Sequence, residues 1–125
     1  MKTLIKLFLI TILISTGYSC KKNQVGGKGS LKGMIMHHNK PIADAYVYIK
    51  YNSTEFPGEE YTLYDTYVQA DAGGNYKIPL YKGTYYVFAT GRDEDIPSPY
   101  TVKGGFSFSL KNKENISKDI QVSED

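Results

Sequence analysis

Apolar and polar residues alternate in short runs along most of this chain, and the alternation predicts strands. Leu31, Gly33 and Ile35 oppose Lys32 and Met34 in residues 30–36, and Ala45, Val47 and Ile49 oppose Tyr46, Tyr48 and Lys50 in residues 45–50. A period of two sends successive side chains to opposite faces of a sheet. Residues 61–70 have strand length but a mixed phase: Leu63 and Tyr67 mark one face, Tyr64 and Val68 the other, and a bulge near Asp65 reconciles them. Tyr76, Ile78 and Leu80 alternate with Lys77 and Pro79, and the proline places residues 76–80 at a sheet edge or with its N–H position outward. Residues 85–90, 100–110 and 116–123 continue the pattern, with Val87, Phe106, Phe108, Leu110, Ile120 and Val122 on apolar faces. No helical period competes with it.

Turn chemistry separates these runs. Pro41 fixes φ in the segment HHNKPIAD, Pro57-Gly58 tips a polar loop, and Lys82-Gly83 closes a hairpin. In Asp71-Ala72-Gly73-Gly74-Asn75 the acid caps backbone N–H groups while glycine takes positive φ. Seven strands with polar turns predict an all-β, seven-stranded Greek-key β-sandwich.

The N-terminus follows a different pattern. Residues 4–14 are an apolar run that follows Lys2 and contains Lys6 near its start, too short to span a bilayer as a stable helix. The bridge Ser15-Thr16-Gly17-Tyr18-Ser19 leads to Cys20, the single cysteine of the chain. This arrangement resembles a bacterial lipoprotein signal, although Gly17 and Tyr18 depart from the usual box and only Ser19 conforms. The resemblance implies a signal peptide at residues 1–19 and a Cys20 thiol that carries lipid, palmitate-type acyl chains included. It also implies a bacterial cell envelope of Gram-negative type, with Lys21 in place of an acid compatible with forwarding to the outer membrane. A lone thiol has no disulfide partner within the chain, which agrees with its use as an anchor. Residues 20–29, rich in lysine and glycine, read as a lipidated flexible tether, and residues 30–125 as the folded domain.

Composition narrows the possibilities. Removing Lys2 and Lys6 with the signal brings the 15 basic residues level with the 13 acidic ones, which removes the basic face that nucleic-acid binding requires. Twelve tyrosines and no tryptophan, with Val, Ile and Thr spread throughout, suit strands.

The run L-x-G-x-I-(x)5-P-I-x-x-A-x-V-x-I from Leu31 to Ile49, then D-A-G-G-N-Y-x-I-x-L and K-G-T-Y-Y-V-x-A, is similar to the carboxypeptidase regulatory-like domain, a prealbumin-like (transthyretin-like) sandwich. The similarity covers roughly residues 29–122 and rests on fold determinants. Gly33 permits close backbone approach, Ala45 fits a tight inter-sheet position, and Gly74 and Gly83 set turns. It implies an accessory or free-standing lipoprotein module and carries little chemistry of its own.

The chemistry-bearing residues are few. His37 and His38 are the only histidines, and as strand neighbours they point to opposite faces, which argues against a metal site built from the two. No serine has a nucleophile-elbow context and Cys20 is committed to lipid, so no catalytic residue, enzyme activity or cofactor is read. Asp71, Asp93 and Asp95 are weak calcium candidates, three acids being too few for an ion that takes six to eight oxygens. Tyr46, Tyr48, Tyr64 and Tyr86 lie off the core faces and are the candidate surface for a ligand or partner. The expected function is a membrane-anchored, non-catalytic binding or assembly module whose partner is an envelope protein or a glycan. The alternatives are a glycan-binding accessory lipoprotein of a nutrient-uptake system and a structural subunit of a surface fibre.

Overall fold

A computed structural model of the chain describes residues 21–124. The expected signal peptide and Cys20 lie outside the described residues. The alternation seen in the sequence becomes alternation of burial: β3 (Tyr46–Tyr51) and β5 (Asn75–Leu80) bury every second side chain. Their companions are β1 (Val25–His37), β2 (Lys40–Pro41), β4 (Thr66–Gln69), β6 (Gly83–Arg92), β7 (Thr101–Leu110), β8 (Asn115–Ser117) and β9 (Ile120–Gln121). The protein is all-β and has two sheets.

In the first sheet β1 is central, antiparallel to β5 and to β2 and parallel to β8 and β9. The second sheet runs β4-β3-β6-β7 and is antiparallel throughout. Leu31, Ile35, Ile78, Leu80 and Ile120 from the first sheet meet Val47, Ile49, Tyr85, Val87 and Val102 from the second in one fully buried core. Each such aliphatic side chain contributes roughly 1.5–3 kcal/mol relative to exposure. Ala45, also in this core, has Gly91 beside it: a Cβ built there would lie 3.1 Å from the Ala45 Cβ. Pro79 lies exposed on β5, which pairs only with β1 among the described residues, so the expected edge position holds.

Several expectations change. Residues 25–29 are not free tether but the start of β1, Val25 pairing with Leu80 across a bulge. The preceding residues are fixed as well: Asn23 Oδ1 accepts the Thr84 N–H at 2.9 Å, and the Tyr85 hydroxyl accepts the Gln24 N–H at 2.9 Å. Gly26 and Gly27, both at positive φ, lie so close to the Tyr81 ring that a Cβ at either would meet it within 2.9 Å. Residues 61–70 divide into a 3₁₀ turn, Tyr61–Leu63, and the short β4. Asp65, the expected bulge, instead starts the pairing, its N–H donating to Ile49 O and its carboxylate accepting the Tyr51 N–H at 2.7 Å.

Residues 116–123 split into β8 and β9 at Lys118, whose carbonyl turns in against Gly33. A Cβ at Gly33 would lie 2.1 Å from that oxygen, which is the close approach expected of this glycine. Asp119 Oδ1 then accepts the Met34 N–H where a ladder carbonyl would otherwise do so. With β2 added, nine strands stand among the described residues where seven were expected. The Asp71 turn holds: Asp71 Oδ1 accepts the N–H groups of Gly73 and Asn75, each at 2.9 Å, and Gly74 sits at φ +79°. Lys82-Gly83 turns the chain but closes no hairpin, because β5 pairs with β1 and β6 with β3 and β7, so the turn carries the chain from one sheet to the other.

Candidate functional site

The outer face of the second sheet is aromatic. On β3, Val47 and Ile49 point into the core, so Tyr46 and Tyr48 point out. Tyr48 lies opposite Tyr67 on β4 and opposite Phe88 on β6. The rings form a continuous array, with Tyr46 and Tyr67 5.9 Å apart, Tyr48 and Tyr67 6.0 Å, and Tyr48 and Tyr64 5.7 Å. Separations of this size suit offset and edge-on aromatic contacts.

The β3–β4 connection lies across this face and does not project from it. Phe56 packs 5.2 Å from Phe88 and 5.8 Å from Tyr86, and Tyr64 stacks on Phe88 at 6.0 Å with 14° between the planes. Phe88, on the outward face of β6, is thereby reduced to 5% exposure. The Tyr64 hydroxyl donates to Gly58 O at 2.7 Å, and Glu59 pairs with Lys103 of β7 at 2.6 Å. Gly105, opposite Phe88 in the ladder, carries no side chain to compete with Phe56 for the space.

Of the four expected tyrosines, the structure brings together Tyr46, Tyr48 and Tyr64. Tyr86 lines the adjoining patch with Phe56 and Phe88, which meets the cleft where Tyr64 stacks on Phe88. Tyr61 and Tyr67, absent from the expected set, complete the site. The five tyrosines and Thr62, Asp65 and Thr66 line an open cleft of about 480 Å³. The missed signal was phase: the 3₁₀ turn shifts the register, so that Tyr64 and Tyr67 share a face although the sequence separates them. Burial pushes the Tyr64 phenol up to about 12, with Tyr86 and Glu59 adding to the effect, and burial also raises Tyr48. Both hydroxyls therefore stay protonated at neutral pH; the Tyr64 proton is spent on Gly58 O, which leaves its oxygen as an acceptor, and Tyr48 presents its hydroxyl from an apolar wall.

A second polar cluster lies at the end of the molecule where β1 passes into β2. Asp93, 3% exposed, accepts from the Lys40 ammonium at 2.7 Å and holds His37 Nδ1 at 2.7 Å. Lys40, His37 and the Asp95 backbone N–H, in that order, hold the Asp93 carboxyl well below the usual carboxylate range. Lys40 is raised in turn, chiefly by Asp93 and then by Asp95. The three calcium candidates do not converge. Asp71 is spent on its own turn, and the Lys40 ammonium bridges Asp93 to Asp95, filling with a cation the space an ion would need. The two histidines depart from expectation in the other direction. Strand alternation ends at His37, because His38 takes φ +53°, and the two rings come within 4.2 Å of one another.

No known protein-family model and no curated protein sequence matches this chain.

Proposed function

We propose that this protein is a non-catalytic, lipid-anchored module of the bacterial cell envelope, probing neutral glycans through its tyrosine cleft. The observation that carries the reading is the cleft itself: five tyrosine rings with Thr62, Asp65 and Thr66 at their margin, and no cationic side chain in the lining. A saccharide presents C–H faces that pack on aromatic rings and hydroxyls that bond to carboxylates, hydroxyls and phenols. A neutral ligand fits a wall without lysine or arginine better than a phosphorylated or strongly anionic one. The two-sheet all-β architecture, the Gly33 contact and the turns at Gly74 and Gly83 support a Greek-key, prealbumin-like sandwich of the carboxypeptidase regulatory-like kind.

The anchor is the acylated thiol of Cys20, whose chains at about 0.8 kcal/mol per buried methylene hold the domain at the outer membrane. Asn23 is already fixed to the β5–β6 turn, so only Lys21 and Lys22 separate fold from lipid, a reach of roughly 10 Å. Lys22, Lys82 and Lys111 meet at this end, on the side of anionic headgroups. Tethering raises the local ligand concentration, so modest affinity suffices.

The test is binding of the membrane-extracted protein to a panel of neutral oligosaccharides. Tyr48→Ala and Tyr67→Ala are each expected to weaken binding about tenfold, the equivalent of about 1.4 kcal/mol. Tyr67 is 59% exposed and its removal leaves the core intact, so a loss reports on the cleft. Full affinity in both variants, or no saccharide bound by the parent protein, defeats the glycan assignment. Fractionation tests the anchor: Cys20→Ala moves the protein from membrane to soluble fractions.

A further inference from the structure

We propose that His37, His38 and Glu124 form a binding site for a divalent transition metal of the zinc class, with Asp93 as the positioning residue behind His37. One ligand atom from each of the three lies within 4.8 Å of the others. They come from separate parts of the chain: the end of β1, the turn that follows it, and the segment after β9.

The orientation of His37 distinguishes this group from a chance cluster. Asp93 Oδ2 sits 2.7 Å from His37 Nδ1. The other Asp93 oxygen accepts from the Lys40 ammonium at 2.7 Å and from the Asp95 N–H at 3.0 Å, so this carboxylate faces donors on both sides. Nδ1 is therefore the nitrogen that carries hydrogen, and the neutral ring presents its lone pair at Nε2. That nitrogen is buried in a side chain 4% exposed, and it has no hydrogen-bond partner among the described residues. A buried polar atom with no protein partner calls for an explanation, and ion binding is one of the recognised ones. A carboxylate on Nδ1 with Nε2 turned to the ligand is the usual arrangement of a metal-bound histidine.

The donors set the metal class. Two imidazoles and one carboxylate suit zinc and its neighbours better than calcium or magnesium, which prefer all-oxygen shells. Tetrahedral bonds of 2.0–2.1 Å place ligand atoms about 3.3 Å apart, so the site closes slightly on the ion. His38 and Glu124 are exposed, while His37 is buried and held by Asp93. Three protein ligands leave a fourth position for water or for a donor from outside. A bound ion would tie the segment after β9 to the β1–β2 turn and, through Asp93, to the β6–β7 connection.

The experiment is calorimetric titration of the chelator-treated, full-length protein with zinc chloride alone. One equivalent is expected to bind, and His38→Ala and Glu124→Ala, both at exposed positions, are each expected to weaken binding at least tenfold. Asp93→Asn, which keeps the shape but alters the hold on Nδ1, is expected to cost 10–100-fold. Wild-type affinity in either ligand variant, or less than one equivalent bound by the parent, overturns the proposal. A second measurement needs no variant: the imidazole nitrogen resonances of the parent protein. Zinc is expected to shift His37 Nε2 while Nδ1 stays protonated, and an Nε2 resonance unmoved at saturating zinc likewise overturns it.

Discussion

Gly33 shows how much of this fold rests on one missing carbon. It stands in β1, among the described residues the only strand flanked on both sides in its sheet, opposite Tyr76 on one flank and beside Lys118 on the other. The Lys118 carbonyl occupies the place of a side chain there and accepts the Tyr76 hydroxyl at 2.5 Å. A methyl group at position 33 meets backbone, which cannot rotate aside as a side chain can. Gly33→Ala is therefore expected to lower stability by about 1–3 kcal/mol, the usual cost of overpacking. Equilibrium denaturant unfolding measures it, and an unchanged midpoint would show that β8 and β9 are more loosely held than the geometry indicates. The importance of Gly33 was legible in the sequence. The meeting of His37 and His38 was not, because it depends on one left-handed residue that alternation cannot anticipate.

At the level of elements, the β3–β4 connection converts an exposed sheet face into a covered one. Phe56 and Tyr64 bear on Phe88, and the Tyr64 hydroxyl and the Glu59–Lys103 pair hold the connection in place. Its attachment is sensitive to alkali. Tyr64 titrates near 12 in the folded protein against an ordinary 10.0, so between those values the unfolded chain has released a proton that the native chain retains. Stability is then full below about pH 10 and falls as pH rises toward 12. Tyr64→Phe is expected to remove part of that fall, read as a shallower loss of unfolding midpoint between pH 9 and 11; identical slopes would mean the phenol is not buried as described. The strands β3, β5 and β6 were legible because each has one buried face and therefore alternates. The 3₁₀ turn was not, since its side chains are exposed and its position is set by the pairing of Asp65 with β3. The tyrosine cleft was consequently half visible: its β3 members stood out, and its β4 member, Tyr67, stood in a stretch of ambiguous phase.

For the molecule as a whole, the decisive question is where the fold begins. Lysine and glycine in residues 21–29 suggest solvated chain, yet their partners lie about sixty residues away, beyond the reach of local pattern. The Asn23 N–H donates to Lys82 O, the Tyr81 N–H donates to Gln24 O, and Tyr85, itself buried in the core, receives the Gln24 N–H. The same Tyr85 hydroxyl donates to Tyr81 O at 2.6 Å, so the N-terminal segment is tied to a core side chain through one bond. Deleting residues 21–24 from the chain lacking residues 1–20 is therefore expected to cost about 2–4 kcal/mol, several hydrogen bonds at roughly 0.5–1.5 kcal/mol each. A flexible tether would be removed at no cost, and an unchanged unfolding free energy would restore that description. The outcome also bears on the proposed anchoring. If residues 23–24 belong to the fold, the domain sits against the bilayer with its β5–β6 turn down and its His37 end outward. If they do not, it swings on a tether of about ten residues and the membrane fixes no orientation for the tyrosine cleft.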